Sequence, residues 1–68
     1  MKIFQIRLKE QRKLYGYTQK HVAEALGISQ PSYIRYEDGS AEPSQENLVK
    51  LADLFDVSVD YLLGRHEF

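Results

Sequence analysis

The chain is 68 residues long, carries nine Lys and Arg against ten Asp and Glu, and has no cysteine. A chain of this size is one domain, spanning residues 1–68, and it buries only about 60% of the surface of its unfolded state. Without thiols, neither a disulfide framework nor a thiolate metal site can brace the fold, so stability has to come from helix packing.

Gly and Pro cut the chain into five short segments, each with helical periodicity and none with the strict alternation of a half-buried strand. The first runs from Ile3 to about Leu14, with Phe4, Leu8 and Gln11 or Arg12 recurring at three- to four-residue spacing, and ends at Gly16. Gln11 interrupts its apolar face, and Leu14 is expected to compensate. Thr18 is placed to cap a second helix over Gln19 to Leu26, closed by Gly27. Ser29 caps a third, with Pro31 in its first turn, where a missing N–H costs little. This helix reaches about Glu37 and is terminated by Asp38-Gly39, followed by a polar loop, Ser40 to Pro43. Ser44 opens a fourth helix whose face is Leu48, Leu51, Ala52 and Phe55, and Ser58 opens a short fifth, through about Leu63 and stopped by Gly64. The fold class expected is all-α, a compact bundle of five helices.

The net charge of −1 is unlike that of a simple basic nucleic-acid binder, but its distribution is polar. Residues 1–35 hold seven basic residues against two acidic ones, a local charge of +5, whereas residues 36–68 hold two against eight, a charge of −6. One face is therefore suited to phosphate and another is not. No apolar run approaches the ~20 residues of a membrane span, and Met1-Lys2-Ile3-Phe4 leads into polar residues instead of a signal-peptide core. The expected location is the cytoplasm.

Two short helices joined by a glycine-containing turn are the outline of a helix-turn-helix at helices two and three. Small Ala23 lets the helices approach, and Val22, Leu26 and Ile28 fill the angle. At ~100° per residue, Tyr33, Tyr36 and Glu37 share one side of the third helix, assigned inward. Pro31 and Arg35 lie opposite, Ser32 and Ile34 flank them, and Gln30 stands at the exposed N-terminus. This outward set suits base edges: Gln pairs with adenine N6/N7, Arg with guanine O6/N7, and an aliphatic group meets a thymine methyl. The bland alternatives are a solvated or salt-bridged Arg35 and an Ile34 packed on helix four.

The run Tyr17-Thr18-Gln19 through Glu37-Asp38-Gly39 closely resembles the phage repressor/Cro-type, or XRE, helix-turn-helix family, and Leu48 to Gly64 resembles that family's final two helices. The resemblance implies a lambda-repressor-like domain that binds a palindromic double-stranded DNA operator as a homodimer and regulates transcription, most often as a repressor. It places Gln30, Pro31, Ser32 and Arg35 at positions facing bases or neighbouring phosphates, and implies that Gln19 touches a phosphate and braces Gln30. Tyr17, Thr18, Lys20, Ser29 and the segment Asp38, Gly39 and Ser40 fall where phosphate contacts or positioning groups are expected, although Asp38 and Glu42 are acidic where the family often has Asn, Lys or Arg. Arg12 and Glu37 match a structural pair that ties helix one to the end of helix three.

Half-site geometry calls for a two-fold protein, with Val59, Tyr61, Leu63 and Phe68 as the expected contact; the alternative is that Tyr61 and Leu62 complete the monomer core. Catalysis is not expected, because His21 and His66 are isolated and the sequence has neither a phosphate-binding glycine loop nor a metal-ligand cluster. No cofactor or metal is expected. The rival reading is a protein-interaction module of the same fold, an antitoxin or phage regulatory partner, working through the acidic second half. The chain reads either as a complete Cro-like regulator or as the DNA-binding portion of a longer repressor.

Overall fold

Four hydroxyl side chains open four of the five helices. The computed structural model describes residues 2–67, arranged as α1 (Lys2–Leu14), α2 (Gln19–Leu26), α3 (Gln30–Asp38), α4 (Gln45–Leu54) and α5 (Val59–Leu62). Thr18, Ser29, Ser44 and Ser58 sit at the N-caps in extended backbone, and each side-chain oxygen accepts from the backbone N–H three residues on, at His21, Ser32, Asn47 and Tyr61. Each cap is worth about 1 kcal/mol to a helix too short to be stable by itself.

The turn between α2 and α3 needs Gly27, whose φ of 73° lies in the left-handed region. With the backbone reversed there, Gly27 N–H donates to the Glu24 carbonyl at 3.1 Å and Ile28 N–H to that of Ala23 at 3.0 Å, closing the end of α2. Gly39 ends α3 at φ 87° for a second reason: a Cβ there would lie 1.5 Å from Gln5 Nε2. The side chain of α1 therefore lies directly on the backbone that terminates α3.

The core takes Phe4 and Leu8 from α1, Val22, Ala23 and Leu26 from α2, Tyr33 and Tyr36 from α3, and Leu51, Ala52, Phe55 and Leu62 from the second half. Helix α3 packs on both α2 and α1, α4 on α2 and α5, and α5 returns to α1. The inward face expected for α3 is the one observed, including the buried carboxylate of Glu37.

Leu14 does not repair the interrupted face of α1. Six residues beyond Leu8 it has turned ~240° around the helix, and it is 75% exposed. Arg7, Gln11 and Tyr61 form the contact instead: the Arg7 guanidinium lies 4.3 Å from the centroid of the Tyr61 ring, and Nη1 donates to the carbonyls of Tyr61 and His66. Gln11 Nε2 reaches the Tyr61 hydroxyl at 3.5 Å.

Two of the expected dimer contacts are thus largely occupied within the monomer. Val59 and Tyr61 pack against its core, and Leu62 is fully buried. Leu63 is half-buried at the C-cap of α5, and Phe68 lies outside the described residues.

Candidate nucleic-acid interface

Helix α3 is held by its buried side so that the other side is free. Its anchor is Glu37, which is only 5% exposed yet has every carboxylate contact supplied from nearby. Arg12 of α1 grips it with two hydrogen bonds, Nε to Oε2 at 2.6 Å and Nη2 to Oε1 at 3.2 Å. Gln19, the first residue of α2, donates its amide to Oε1 at 3.2 Å, and the Tyr33 hydroxyl donates to Oε2. Arg12 Nη1 also donates to the Tyr17 carbonyl at 3.0 Å, fixing the link between α1 and α2.

One carboxylate therefore receives donors from three helices, α1, α2 and α3. Burial pushes its pKa up, but the hydrogen bonds from Arg12, Tyr33 and Gln19 outweigh that cost and hold it below the usual glutamate value. Burial, together with the bond to Glu37, pushes the Tyr33 hydroxyl above the ordinary tyrosine range. The expected pairing of Arg12 with Glu37 is present, and its geometry is that of a scaffold.

The role expected of Gln19 is changed by this arrangement, because its amide braces Glu37 and not Gln30. Tyr33 is more than the packing residue its inward position implies: it stands four residues before Glu37, one turn away on the same face, within reach of a hydrogen bond.

Away from the anchor, α3 presents Gln30, Pro31 and Arg35 as exposed residues and Ser32 and Ile34 as half-buried ones. Ser29 Oγ accepts from Ser32 N–H at 3.2 Å and donates to Ser32 Oγ at 2.9 Å, which leaves the Ser32 hydroxyl proton directed elsewhere. Ile34 lines a depression with Lys9 and Lys13 of α1 and Gln19 of α2.

At the start of α2, Thr18 and Lys20 are exposed, while Tyr17 is half-buried with its ring centroid 4.5 Å from that of His21. Beyond α3 the expected donors are already in use. Gly39 N–H donates to the Arg35 carbonyl at 3.0 Å, and Ser40 donates to Asp38 Oδ1 from its N–H at 2.8 Å and its hydroxyl at 2.7 Å. Those hydrogen bonds also hold the exposed Asp38 carboxyl below its ordinary pKa. Both N–H groups are satisfied internally, so neither Gly39 nor Ser40 offers a backbone donor to phosphate, and Asp38 offers only an acceptor.

Residues 8–62 match the helix-turn-helix family. The chain is 49% identical over 59 residues to the cryptic phage CTXphi transcriptional repressor RstR of Vibrio cholerae serotype O1, a match covering 87% of this chain and 53% of that protein. It is 48% identical over 61 residues to the HTH-type transcriptional regulator ImmR of Bacillus subtilis, covering 90% and 48% respectively. It thus spans about half the length of the curated relatives it matches. Among solved structures it superimposes on the P22 c2 repressor protein, crystallised with a synthetic operator, with a TM-score of 0.86 and 28% identity over 93% of this chain and 96% of that one.

Proposed function

Because the chain belongs to the helix-turn-helix family, we propose that it binds double-stranded DNA sequence-specifically and regulates transcription as a repressor, with α3 in the major groove. The observation that carries this reading is the division of α3 by side: Tyr33, Tyr36 and Glu37 are buried, while Pro31 and Arg35 are exposed on the opposite surface and Gln30 at the exposed N-terminus. A helix locked along its back leaves its front free to meet base edges.

Arg35 is the proposed reader of guanine and Gln30 of adenine, with Ser32 as a short hydrogen-bonding group and Pro31 and Ile34 as apolar contacts to thymine methyls. The start of α2 supplies positioning. Its free N–H groups and positive dipole end favour phosphate, with Thr18, Gln19 and Lys20 beside them. Tyr17 and Ser29 flank that strand contact. The P22 c2 repressor was solved with an operator, and that likeness supports the same mode here.

Operators read by such helices are two-fold, so the working unit is a homodimer on a palindromic site, acting in the cytoplasm where bacterial and phage DNA is found. Leu63, with the exposed parts of Val59 and Tyr61, remains the proposed contact. No helix among the described residues is long and apolar enough to cross a membrane.

Selection of binding sites from random duplex DNA tests the reading directly. The expected result is an enriched palindrome whose half-sites are about one helical turn apart. Recovery of no preferred sequence, with retention indifferent to salt, favours the second reading, a protein-interaction module. That reading rests on the exposed acids of the second half, among them Asp53, Asp56 and Asp60.

A further inference from the structure

We infer that Lys9 and Lys13 of α1 extend the DNA contact beyond the two helices of the motif, taking the sugar–phosphate backbone of the strand that runs past the start of α2. The inference rests on the DNA-binding reading above and adds a third helix to the contact surface.

A depression of about 220 Å³ is shared by Lys9 and Lys13 on α1, Gln19 at the start of α2, and Ile34 and Asp38 on α3. It lies between Ile34 and Asp38 on α3 and Gln19 at the N-terminus of α2, so the two lysines stand beside both elements of the proposed contact. The two lysines stand one helical turn apart on the same side of α1, matching successive points along a strand.

Their charges are also uncommitted. The two arginines of α1 are used internally: Arg7 on the carbonyls of Tyr61 and His66, and Arg12 on Glu37. Lys50, on the far half of the molecule, pairs with Glu46 at 3.3 Å. Among the described residues, neither Lys9 nor Lys13 forms an ion pair, and both are exposed. The opposing charges are Glu37, already held by Arg12, Asp38, already bonded to Ser40, and Glu10, which flanks the lysines on the other side. An unpaired pair of ammonium groups beside a base-reading helix fits a polyanionic strand, whose contacts release counterions.

The test uses the 68-residue chain and a duplex carrying its selected site, with affinity measured by fluorescence anisotropy across a salt series. Replacing both lysines, Lys9→Gln with Lys13→Gln, is expected to weaken binding. It should also make the slope of log affinity against log salt shallower by about 1.8, or ~0.9 for each phosphate lost. The ratio between the selected site and a scrambled one should not change. Lys9→Arg with Lys13→Arg should restore the slope, and Lys50→Gln should leave it as in the parent. Circular dichroism of each variant reports its fold.

A double variant with the parent's slope, in a protein whose site preference still depends on Arg35, overturns this inference alone. Absence of salt-dependent binding by the parent chain overturns the DNA reading and this inference with it.

Discussion

Glu37 of α3 and Arg12 of α1, 25 residues apart in the chain, are joined by two parallel hydrogen bonds of 2.6 and 3.2 Å. Their side chains are only 3% and 13% exposed, so water contributes little to solvating either charge. The fork of the guanidinium matches the carboxylate plane, and the remaining acceptor capacity of Glu37 is filled by Tyr33 and Gln19.

Removing one partner should therefore cost much more than removing both. Arg12→Ala leaves a buried carboxylate with its principal cation gone and is expected to destabilise the fold by about 3 kcal/mol. Arg12→Met together with Glu37→Leu, which removes both charges and keeps the volume, should recover more than half of that loss. Urea denaturation of the three variants checks the expectation. A loss under about 1 kcal/mol for Arg12→Ala, the size of a surface pair, would show that the site is effectively solvated.

Acid should act on the same residue. Its folded pKa lies below the unfolded value of about 4.3, so below neutral pH the unfolded chain takes up the proton first. The stabilisation is complete above that unfolded value and disappears as pH falls through the folded one. As pH falls below about 5, the urea midpoint should thus drop more steeply in the parent than in Glu37→Gln. Parallel pH profiles for the two proteins would contradict the assignment.

Arg35→Ala should leave stability almost unchanged, because the side chain is exposed. In binding, it should flatten the preference at one base position per half-site by about 1–3 kcal/mol. Specificity measured on single-base operator variants distinguishes this from a uniform loss, which is the signature of a phosphate contact.

Asp38→Asn keeps an acceptor for Ser40 while removing the negative charge beside the reading face. Two unit charges 8 Å apart in water interact by about 0.5 kcal/mol, so affinity for all duplexes should rise about two- to threefold at low salt. The sequence preference should stay the same. Unchanged affinity would mean that the carboxylate lies away from the strand.

The local signals in this chain are readable because their partners lie within one turn. Thr18, Ser29, Ser44 and Ser58 cap helices in the structure as their neighbours imply, and the 3.6-residue period is enough to send Tyr33, Tyr36 and Glu37 inward. What period and composition leave open is which distant group a long polar side chain will find. The Gln19 amide reaches the buried carboxylate 18 residues away, and Tyr61, an expected dimer contact, lies under Arg7 from the opposite end of the chain. The Asp38 to Ser40 loop is a different case: its residue types suit phosphate contact, and a two-residue turn engages the Ser40 donors with Asp38. Ile34 borders a depression lined by α1, which packs on α3.

The Glu37 anchor also separates what the protein is from what it reads. Every group that fixes the orientation of α3 lies on its back or on another helix, and none of Gln30, Pro31, Ser32 or Arg35 contributes a side-chain bond to that anchor. The exposed letters of the helix can therefore be exchanged without asking the frame to refold. New addresses on DNA can thus be written at a few surface positions without disturbing the buried carboxylate and its three donors.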